Sequence, residues 1–454
     1  MYVSKFEARM ATNFVIYLAL GALLCLATAN GEIVNTNVER TLDLTSQLVK
    51  TTTKISAEDS AGKPIVEYVF FTSEPSLAYI AVKDASDKSV PFKRNEPVKG
   101  EQSFTLTFPR AAAKQTFVVE TVASKGIRPH PEEIRQNDKQ FVRYTGNLHL
   151  YSKYKTTSQK TNVKLSSSNI LSHTQVKPFS VSSNKITLGP YENAEAFSQE
   201  PLVIHYENSA PFVTVNSLER TLEISHWGNI AVQESIQMTH TGAKLKGSFS
   251  RYDFQKEGRS GLAALKSYKT YLPASASGVY YRDTNGNIST SNMNAVRDFI
   301  ELELRPRFPL FGGWKTQYTL GYNVPSYEYM FNDGNKYQLK MHLIDHIYDN
   351  MAIDERPSRS FCPRDPLSTP YSISRLPNEL VHTYLDTIGR PVVSFSKSNL
   401  VESHISDFTL HYSFSKTSML QEPLLVSGFI YIIFLFTIVF LRLDFSITSH
   451  AHKE

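Results

Sequence analysis

Cysteine is nearly absent from this chain, which has only Cys25 and Cys362 among its 454 residues. Cys25 lies in an N-terminal apolar segment that we expect to be cleaved, so the mature chain would keep a single thiol. A disulfide framework within the mature chain is therefore excluded. The folded body has to be stabilised by apolar burial instead, and 24 Tyr with 27 Phe supply the side chains for it.

The motifs of common catalytic sites are also missing. The sequence has no G-x-S-x-G, no H-E-x-x-H, no phosphate-binding P-loop and no paired cysteines for a metal. The pair His226 and Trp227 stands out, but a lone histidine beside a tryptophan in a strand is more often a packed pair than a catalytic base. We therefore predict no catalytic residue, no metal site and no cofactor.

The chain also has little excess of one charge sign over the other. The formal net charge is +5 at pH 7, which is small for a chain of 454 residues. The basic residues form no cluster along the sequence, whereas a nucleic-acid-binding protein needs a concentrated basic face. The composition therefore argues against nucleic acid as a partner.

A long apolar run lies close to the C-terminus. Residues 424–441 read LLVSGFIYIIFLFTIVFL and contain no charged side chain. At 1.5 Å per residue a helix of this length covers about 27 Å, close to the hydrocarbon thickness of a bilayer. A buried core helix is the alternative, but such a helix is rarely apolar on every face. We predict a transmembrane helix over 424–443 and a short cytosolic tail over 444–454.

The N-terminal end predicts which side of the membrane holds the body. Lys5 and Arg9 precede an apolar segment over 13–26, and Ala27-Thr28-Ala29 is a small-residue cleavage pattern. We predict a signal peptide over 1–29, with Met10 as a second candidate start and an uncleaved anchor as the alternative. The chain would then be a single-pass type I protein of the endoplasmic reticulum membrane, with its bulk in the lumen.

The body between these segments alternates apolar and polar residues with a period of two, which is typical of half-buried strands. Turn signals at 283–286 and 332–334 separate such runs. We predict a mainly β fold with two tandem luminal antiparallel β-sandwich-like domains, followed by a single C-terminal transmembrane helix. The clearest alternating runs lie at 103–108, 300–305, 336–343 and 408–414.

Three segments of the first half return in the same order in the second half, which indicates a duplicated domain. The repeat places luminal β-domain 1 at 30–210 and luminal β-domain 2 at 211–423. The matched pairs are residues 39–43 with 219–223, the strand at Phe104 with the strand at Ile300, and residues 202–206 with 408–412.

Two features are candidates for modification or binding. Asn287, in Asn287-Ile288-Ser289, is the one N-x-S/T acceptor in the chain and lies beside a turn, so we predict that it is glycosylated. Phe308, Phe311 and Trp314 belong to a loop rich in aromatic residues and glycine. This loop either fills a corner of the sandwich or forms a partner-binding surface.

Seven stretches are similar to one known family: residues 225–232, 249–253, 280–283, 305–316, 325–329, 421–425 and 442–448. Together they resemble ribophorin I, a non-catalytic subunit family of the oligosaccharyltransferase complex. The resemblance extends from about Val38 to Thr448. It weakens over 352–369, where the family would have more strand, and the tail ends soon after the span, unlike the long cytosolic region of animal members.

The resemblance implies a function that the residues alone do not reveal. The chain would be a non-catalytic subunit that stabilises the complex and positions substrate while another subunit transfers the dolichol-linked oligosaccharide to Asn in N-x-S/T sequons. Its partners would be the catalytic and other subunits, nascent polypeptides and the lipid bilayer. The resemblance also implies that Asn287 matches a glycosylated family position. The alternative is a luminal binding protein or chaperone-like escort outside any enzyme complex.

Overall fold

The computed structural model describes residues 32–72, 74, 76–97, 101–256, 263–355, 357–361, 367–368, 374–375, 379–382 and 389–443. Strands dominate these residues, and one long apolar helix ends them, so the mainly β prediction with a C-terminal helix is confirmed. The predicted signal peptide, the predicted tail from residue 444 and Cys362 lie outside the described residues.

The chain forms two compact units. Unit 1 contains the described residues up to Glu133 together with Asn137–Ala210, and unit 2 contains Ile134–Gln136 and the residues from Pro211 onwards. The three residues Ile134–Gln136 belong to unit 2 through backbone pairing: the Ile134 carbonyl accepts a hydrogen bond from Lys246 N at 2.8 Å.

The strands of the first half of the chain are β1 (Ile33–Leu44), β2 (Val49–Asp59), β3 (Ile65–Thr72), β4 (Leu77–Asp84), β5 (Phe92–Arg94), β6 (Gln102–Ala112), β7 (Lys114–Ala123), β8 (Ile127–Pro129), β9 (Glu133–Ile134), β10 (Phe141–Asn147), β11 (Thr156–Leu165), β12 (Ile170–His173), β13 (Phe179–Ser182), β14 (Lys185–Ala194) and β15 (Pro201–Glu207). In unit 1 they form a large sheet in the order β13-β14-β11-β1-β2-β7-β4, beside sheets β12-β15-β10-β8 and β3-β6-β5.

The core of unit 1 follows from alternation along these strands. In β1 the buried positions Val38, Leu42 and Leu44 alternate with more exposed ones, because successive side chains of a strand point to opposite faces. Tyr68 from β3 and Phe117 from β7 are fully buried and meet edge to face, with ring centroids 4.9 Å apart. Strands of the large sheet and of β3-β6-β5 therefore contribute to one apolar core.

The strands of the second half are β16 (Val213–Ser225), β17 (Asn229–His240), β18 (Lys244–Leu245), β19 (Tyr268–Pro273), β20 (Ser277–Asp283), β21 (Gly286–Asn287), β22 (Asn292–Ala295), β23 (Phe299–Leu304), β24 (Lys315–Pro325), β25 (Met330–Asp333), β26 (Lys336–His342), β27 (Ala352–Glu355), β28 (Pro357–Phe361), β29 (Leu367–Ser368), β30 (Ser374–Arg375), β31 (Glu379–Val381), β32 (Arg390–Ser396), β33 (Leu400–Val401) and β34 (Asp407–Ser413). The helices are α1 (Arg251–Lys256), α2 (Ser326–Tyr329), α3 (Gln421–Arg442) and the 3₁₀ turns Glu402–His404 and Lys416–Leu420.

Unit 2 repeats the topology of unit 1. Its large sheet contains the order β32-β28-β16-β17-β24-β20, which corresponds strand by strand to β14-β11-β1-β2-β7-β4. Its smaller sheets β29-β34-β26-β25 and β19-β23-β22 correspond to β12-β15-β10-β8 and β3-β6-β5. The three matched segments of the sequence repeat fall in corresponding strands: β1 with β16, β6 with β23 and β15 with β34.

Each large sheet contains a parallel pairing that the sequence pattern did not predict. β1 pairs with β11 in parallel, and β16 pairs in parallel with β27 and β28. A parallel neighbour requires a long crossover connection, and alternation along one strand does not reveal which distant strand pairs with it. β27 and β28 lie within residues 352–369, where the ribophorin resemblance weakens, so strands of the large sheet do form in that segment.

The helix α3 follows β34, the last strand of unit 2, after the 3₁₀ turn Lys416–Leu420. Its 22 residues span about 33 Å, and its apolar side chains, such as Phe429 and Phe436, are exposed on every side. With the preceding 3₁₀ turn it forms a candidate membrane span, Lys416–Arg442, with a mean hydropathy of 2.8 over its most apolar window. By length and composition this helix can cross a bilayer.

Candidate functional site

A cavity of about 700 Å³ lies in unit 2, within the size range of small-molecule sites. Its buried polar lining includes Arg220 from β16, Tyr322 from β24 and Asp345 from the segment after β26. Phe299 and Phe331 line its more exposed part. The cavity therefore combines a charged interior with aromatic faces near solvent.

Arg220 is the centre of a buried ionic network. Its Nη1 lies 2.5 Å from Glu234 Oε1 and 2.7 Å from Asp345 Oδ2. The Tyr322 hydroxyl donates to the same Asp345 oxygen at 2.5 Å. All three charged side chains are at most 4% exposed. One guanidinium thus holds two carboxylates that would otherwise be buried without a counter-charge.

The electrostatics of this network keep Arg220 charged. Burial alone would lower the pKa of Arg220, but the neighbouring Asp345, Tyr322 and Glu234 outweigh it, so the pKa lies well above its usual value. Burial raises the pKa of Tyr322, and the Asp345 carboxylate raises it further. Tyr322 is therefore a hydrogen-bond donor at neutral pH and offers no proton for acid chemistry.

The outer part of the cavity carries charges of both signs. Asp407 lies 2.8 Å from His342 Nδ1 and 3.3 Å from Lys340 Nζ. Ser275 Oγ and His346 Nδ1 also belong to lining residues, and neither atom has a hydrogen-bond partner among the described residues. They do not form a serine activated by a neighbouring base. The arrangement suits binding of a polar group between aromatic faces.

The predicted aromatic loop is part of a larger cluster. We define the aromatic cluster as Phe249, Phe254, Phe308, Phe311 and Trp314. Phe311 is 6% exposed, and its ring lies 5.5 Å from both Trp314 and Phe249. Phe308 is 42% exposed, and its ring packs 5.8 Å from Trp314. Within the loop, Phe311 is thus a packing residue, and Phe308 presents a face to solvent.

Gly312 explains why this loop packs so closely. A Cβ at Gly312 would overlap the Ala243 carbonyl, and the Gly312 carbonyl accepts a hydrogen bond from Leu245 N at 3.2 Å. Gly313 has a φ of +83°, a left-handed conformation that favours glycine. The two glycines allow the backbone to turn between Phe311 and Trp314 while both rings remain in the cluster.

The glycosylation candidate Asn287 is exposed at the end of a hairpin. It lies in β21, at the edge of the large sheet of unit 2, and pairs with Arg282 of β20. The preceding turn is held by Asp283, which accepts hydrogen bonds from Arg307 Nε at 2.6 Å and Nη2 at 2.8 Å. These bonds lower the pKa of Asp283 to about 2. The acceptor side chain is therefore presented on an ordered turn.

The comparisons with known proteins settle the family. The Ribophorin I family model matches residues 33–441. The chain belongs to the Ribophorin I family. The protein of Caenorhabditis elegans named dolichyl-diphosphooligosaccharide–protein glycosyltransferase subunit 1 is 40% identical over 431 residues, covering 92% of this chain and 74% of that protein. Subunit 1A of Arabidopsis thaliana is 33% identical, over 96% of this chain and 74% of that protein.

Other matches are weaker or different in kind. Subunit 1B of Oryza sativa subsp. japonica is 32% identical over 90% of this chain and 91% of that protein. A structure of native yeast LTA4 hydrolase aligns with 7% identity and a TM-score of 0.25, over 42% of this chain and 31% of that chain. A similarity this weak indicates neither a shared activity nor a shared fold. Ribophorin I family membership and helix α3 together make the chain a membrane-anchored protein.

In this Ribophorin I chain the pair His226 and Trp227 separates into two environments. The His226 ring stacks on Phe414 with centroids 3.8 Å apart and an interplanar angle of 4°. Burial lowers the pKa of His226 to about 4, so the ring is neutral at physiological pH. Trp227 is 66% exposed. His226 is thus a packed side chain, and the indole of Trp227 faces solvent.

Sequence reasoning missed Arg220 of the Ribophorin I core. Arg220 lies on the same face of β16 as Leu218 and Leu222, at a position where alternation would predict an apolar residue. Its repeat counterpart Arg40 is also buried, and its Nη1 donates to the Asn147 carbonyl at 2.7 Å. The signal was an arginine at the inward position of both copies of the repeat.

Among the described residues, no group of three or more His, Cys, Asp and Glu side chains is arranged to hold a metal ion. The cavity and the aromatic cluster both lie in unit 2 but involve different residues. The cavity includes Arg220 and Tyr322, whereas the cluster is built around Phe311 and Trp314. The geometry offers binding surfaces in two separate places.

Proposed function

We propose that this chain is a non-catalytic subunit of the oligosaccharyltransferase complex of the endoplasmic reticulum. It supports transfer of a dolichol-linked oligosaccharide to Asn in N-x-S/T sequons by stabilising the complex and positioning substrate polypeptides. The observation that carries the proposal is the Ribophorin I match over residues 33–441, with relatives named as subunits of that glycosyltransferase.

The geometry favours a supporting role over an enzymatic one. The buried charges of the cavity are already engaged in ion pairs, since Arg220 pairs with Asp345 and with Glu234 behind it. Among the lining residues, Ser275 Oγ and His346 Nδ1 are not hydrogen-bonded to each other. A protein of this kind acts through its surfaces, and catalysis would belong to another subunit.

The arrangement of the chain in the membrane is part of the proposal. Units 1 and 2 lie in the lumen, α3 crosses the bilayer, and the residues after it face the cytosol, as in a type I protein. Asn287 carries a glycan, and the exposed face of Phe308 contacts a partner on the luminal side. The partners are the catalytic and other subunits, nascent polypeptides and the lipid bilayer.

Co-purification and depletion test this function. The full chain with an affinity tag, extracted from microsomes in a mild detergent, should migrate on a native gel with the transferase activity. Depletion of the chain should leave secreted glycoproteins under-occupied at a subset of their sequons. The purified full chain alone should transfer no oligosaccharide from a lipid donor to an acceptor peptide.

Two results would contradict the proposal. Transfer by the purified chain alone would make it catalytic. Normal sequon occupancy after complete depletion, with no co-migration on the native gel, would favour an escort protein that works outside the enzyme complex.

A further inference from the structure

The hairpin between β16 and β17 ends in an exposed tryptophan. Trp227 occupies the turn, with its backbone N donating to Ser225 Oγ at 3.3 Å, and its side chain is 66% exposed. Gly228 follows with a φ of +112°, a conformation that the tight turn requires and that favours glycine. The sequence thus builds a rigid turn that presents an indole to its surroundings.

A second exposed aromatic residue lies beside this turn. Ser326 N donates to the Gly228 carbonyl at 3.0 Å, which fixes the start of α2 against the hairpin. The next residue, Tyr327, is 78% exposed. Trp227 in the β16–β17 turn and Tyr327 in α2 therefore lie at the same end of the large sheet of unit 2.

This end of the sheet is also the end from which the membrane helix leaves. The His226 ring stacks on Phe414 at 3.8 Å, and the 3₁₀ turn Lys416–Leu420 connects Phe414 to the start of α3. A second link runs through Arg390, which lies 3.0 Å from Glu223 of β16 and 2.9 Å from Glu422 of α3.

The β16–β17 turn that holds Trp227 lies beyond the Arg390 contacts along the direction of β16. Glu223, which Arg390 joins to Glu422, lies near the C-terminal end of β16. Trp227 comes after that end, so it lies farther along the strand direction than this contact. Leu380 adds an apolar side chain here: it is 65% exposed and pairs with Pro391, next to Arg390. We define the membrane-proximal patch as Trp227, Tyr327 and Leu380.

We propose that the membrane-proximal patch inserts into the headgroup layer of the leaflet that α3 enters. Indole and phenol rings have an apolar body and a polar edge, and Trp and Tyr are enriched at both interfaces of membrane proteins for that reason. The patch gives unit 2 a second attachment to the bilayer besides α3. Two attachments restrict the tilt of unit 2 against the membrane, which a single helix leaves free.

This inference goes beyond the proposed function and does not depend on which complex the chain joins. It requires only that α3 spans a bilayer. A protein surface is the competing occupant, but the patch adjoins the residues that lead into the span, so lipid is present wherever α3 is inserted.

The chain carries its own probes for a test, because its two tryptophans lie at opposite ends of the paired strands β17 and β24. Trp314 immediately precedes β24, and Trp227 lies two residues before Asn229, which pairs with Pro325 at the other end of β24. The 11 residues of β24 separate these two ends by about 35 Å. The full chain is reconstituted into vesicles with brominated phosphatidylcholine, and tryptophan fluorescence is recorded. Bromines at shallow acyl positions should quench part of the emission more strongly than deep ones.

Two variants identify which tryptophan the brominated lipid quenches. Trp227→Phe, an exposed substitution, should abolish the lipid quenching and leave only the emission of Trp314. Trp314→Phe should retain the quenched component as its whole emission. Because the comparison of wild type with Trp227→Phe needs no change in the aromatic cluster, the test stands even if Trp314→Phe fails to fold.

Two outcomes overturn the proposal. If brominated lipid leaves the emission unchanged while aqueous iodide quenches the Trp227 component, the patch faces water. If iodide is excluded only when other subunits are bound, and lipid still does not quench, the patch is a protein interface.

Discussion

At the scale of single residues, Arg220 shows how a charge becomes part of a β core. Alternation along β16 places it between Leu218 and Leu222 on the inward face. Its side chain is 2% exposed, and its guanidinium forms ion pairs with Glu234 and Asp345. Such a network stabilises the fold only as long as it is complete, because each remaining charge would be costly to keep away from water.

Arg220→Met should therefore destabilise the protein strongly. The substitution keeps much of the side-chain volume but leaves Glu234 and Asp345 buried without their cation, and we expect a loss of about 3–5 kcal/mol in the free energy of unfolding. The midpoint of chemical denaturation of the full chain in detergent micelles measures this loss. Glu234→Gln and Asp345→Asn added to Arg220→Met should restore part of it.

Lys269→Met is the matched control. Lys269 pairs with Glu301 at 3.0 Å on the surface, and the lysine side chain is 52% exposed, so its removal should cost less than about 1 kcal/mol. If Arg220→Met costs no more than Lys269→Met, the buried network is not a stabilising unit.

What the sequence predicts about individual residues depends on whether their partners are close in the chain. Val38 and Leu42 could be assigned to the core from local alternation alone. The role of Arg220 could not, because Asp345 and Tyr322 come from other strands and loops far along the chain. The cavity depends on those same distant contacts, so it could not be predicted from the sequence pattern.

At the scale of elements, the aromatic loop divides into packed and exposed side chains. Phe311→Ala removes a ring that is 6% exposed and should cost about 3–5 kcal/mol of stability. Phe308→Ala removes a ring that is 42% exposed and should change stability by less than about 0.5 kcal/mol, while weakening co-purification of partner subunits. Thermal unfolding and quantitative pull-down of the full chain measure the two effects.

Phe92→Ala is a suitable control for the pull-down. It removes a ring from β5 that is 40% exposed and lies 6.0 Å from Phe104, outside both the aromatic cluster and the cavity. Equal retention of partners by Phe308→Ala and Phe92→Ala would indicate that the loop only fills a corner of the unit.

The strands themselves were more predictable than their pairing. The alternating runs at 300–305 and 408–414 fall in β23 and β34 with shifts of only one residue at their ends. The partners of β16 were not predictable, since β28 pairs with it in parallel after more than a hundred intervening residues. Periodicity reports which face of a strand is buried but carries no information about a non-local neighbour.

At the scale of the whole molecule, a repeated topology is joined to one span. The order of strands in the large sheet of unit 1 returns in unit 2, and the repeated arginines Arg40 and Arg220 occupy corresponding central strands. The second copy is linked to α3 through Arg390 and Glu422.

The orientation of the molecule is tested by its sequon. N-linked glycans are attached on the luminal side, so a glycan at Asn287 would place unit 2 in the lumen. Endoglycosidase H should shift the full chain from microsomes by one glycan, and Asn287→Gln should abolish the shift. Asn292→Gln, an exposed asparagine of β22 outside any sequon, should leave the shift intact. An unshifted wild-type chain that also loses units 1 and 2 to protease added outside sealed microsomes would reverse the proposed topology.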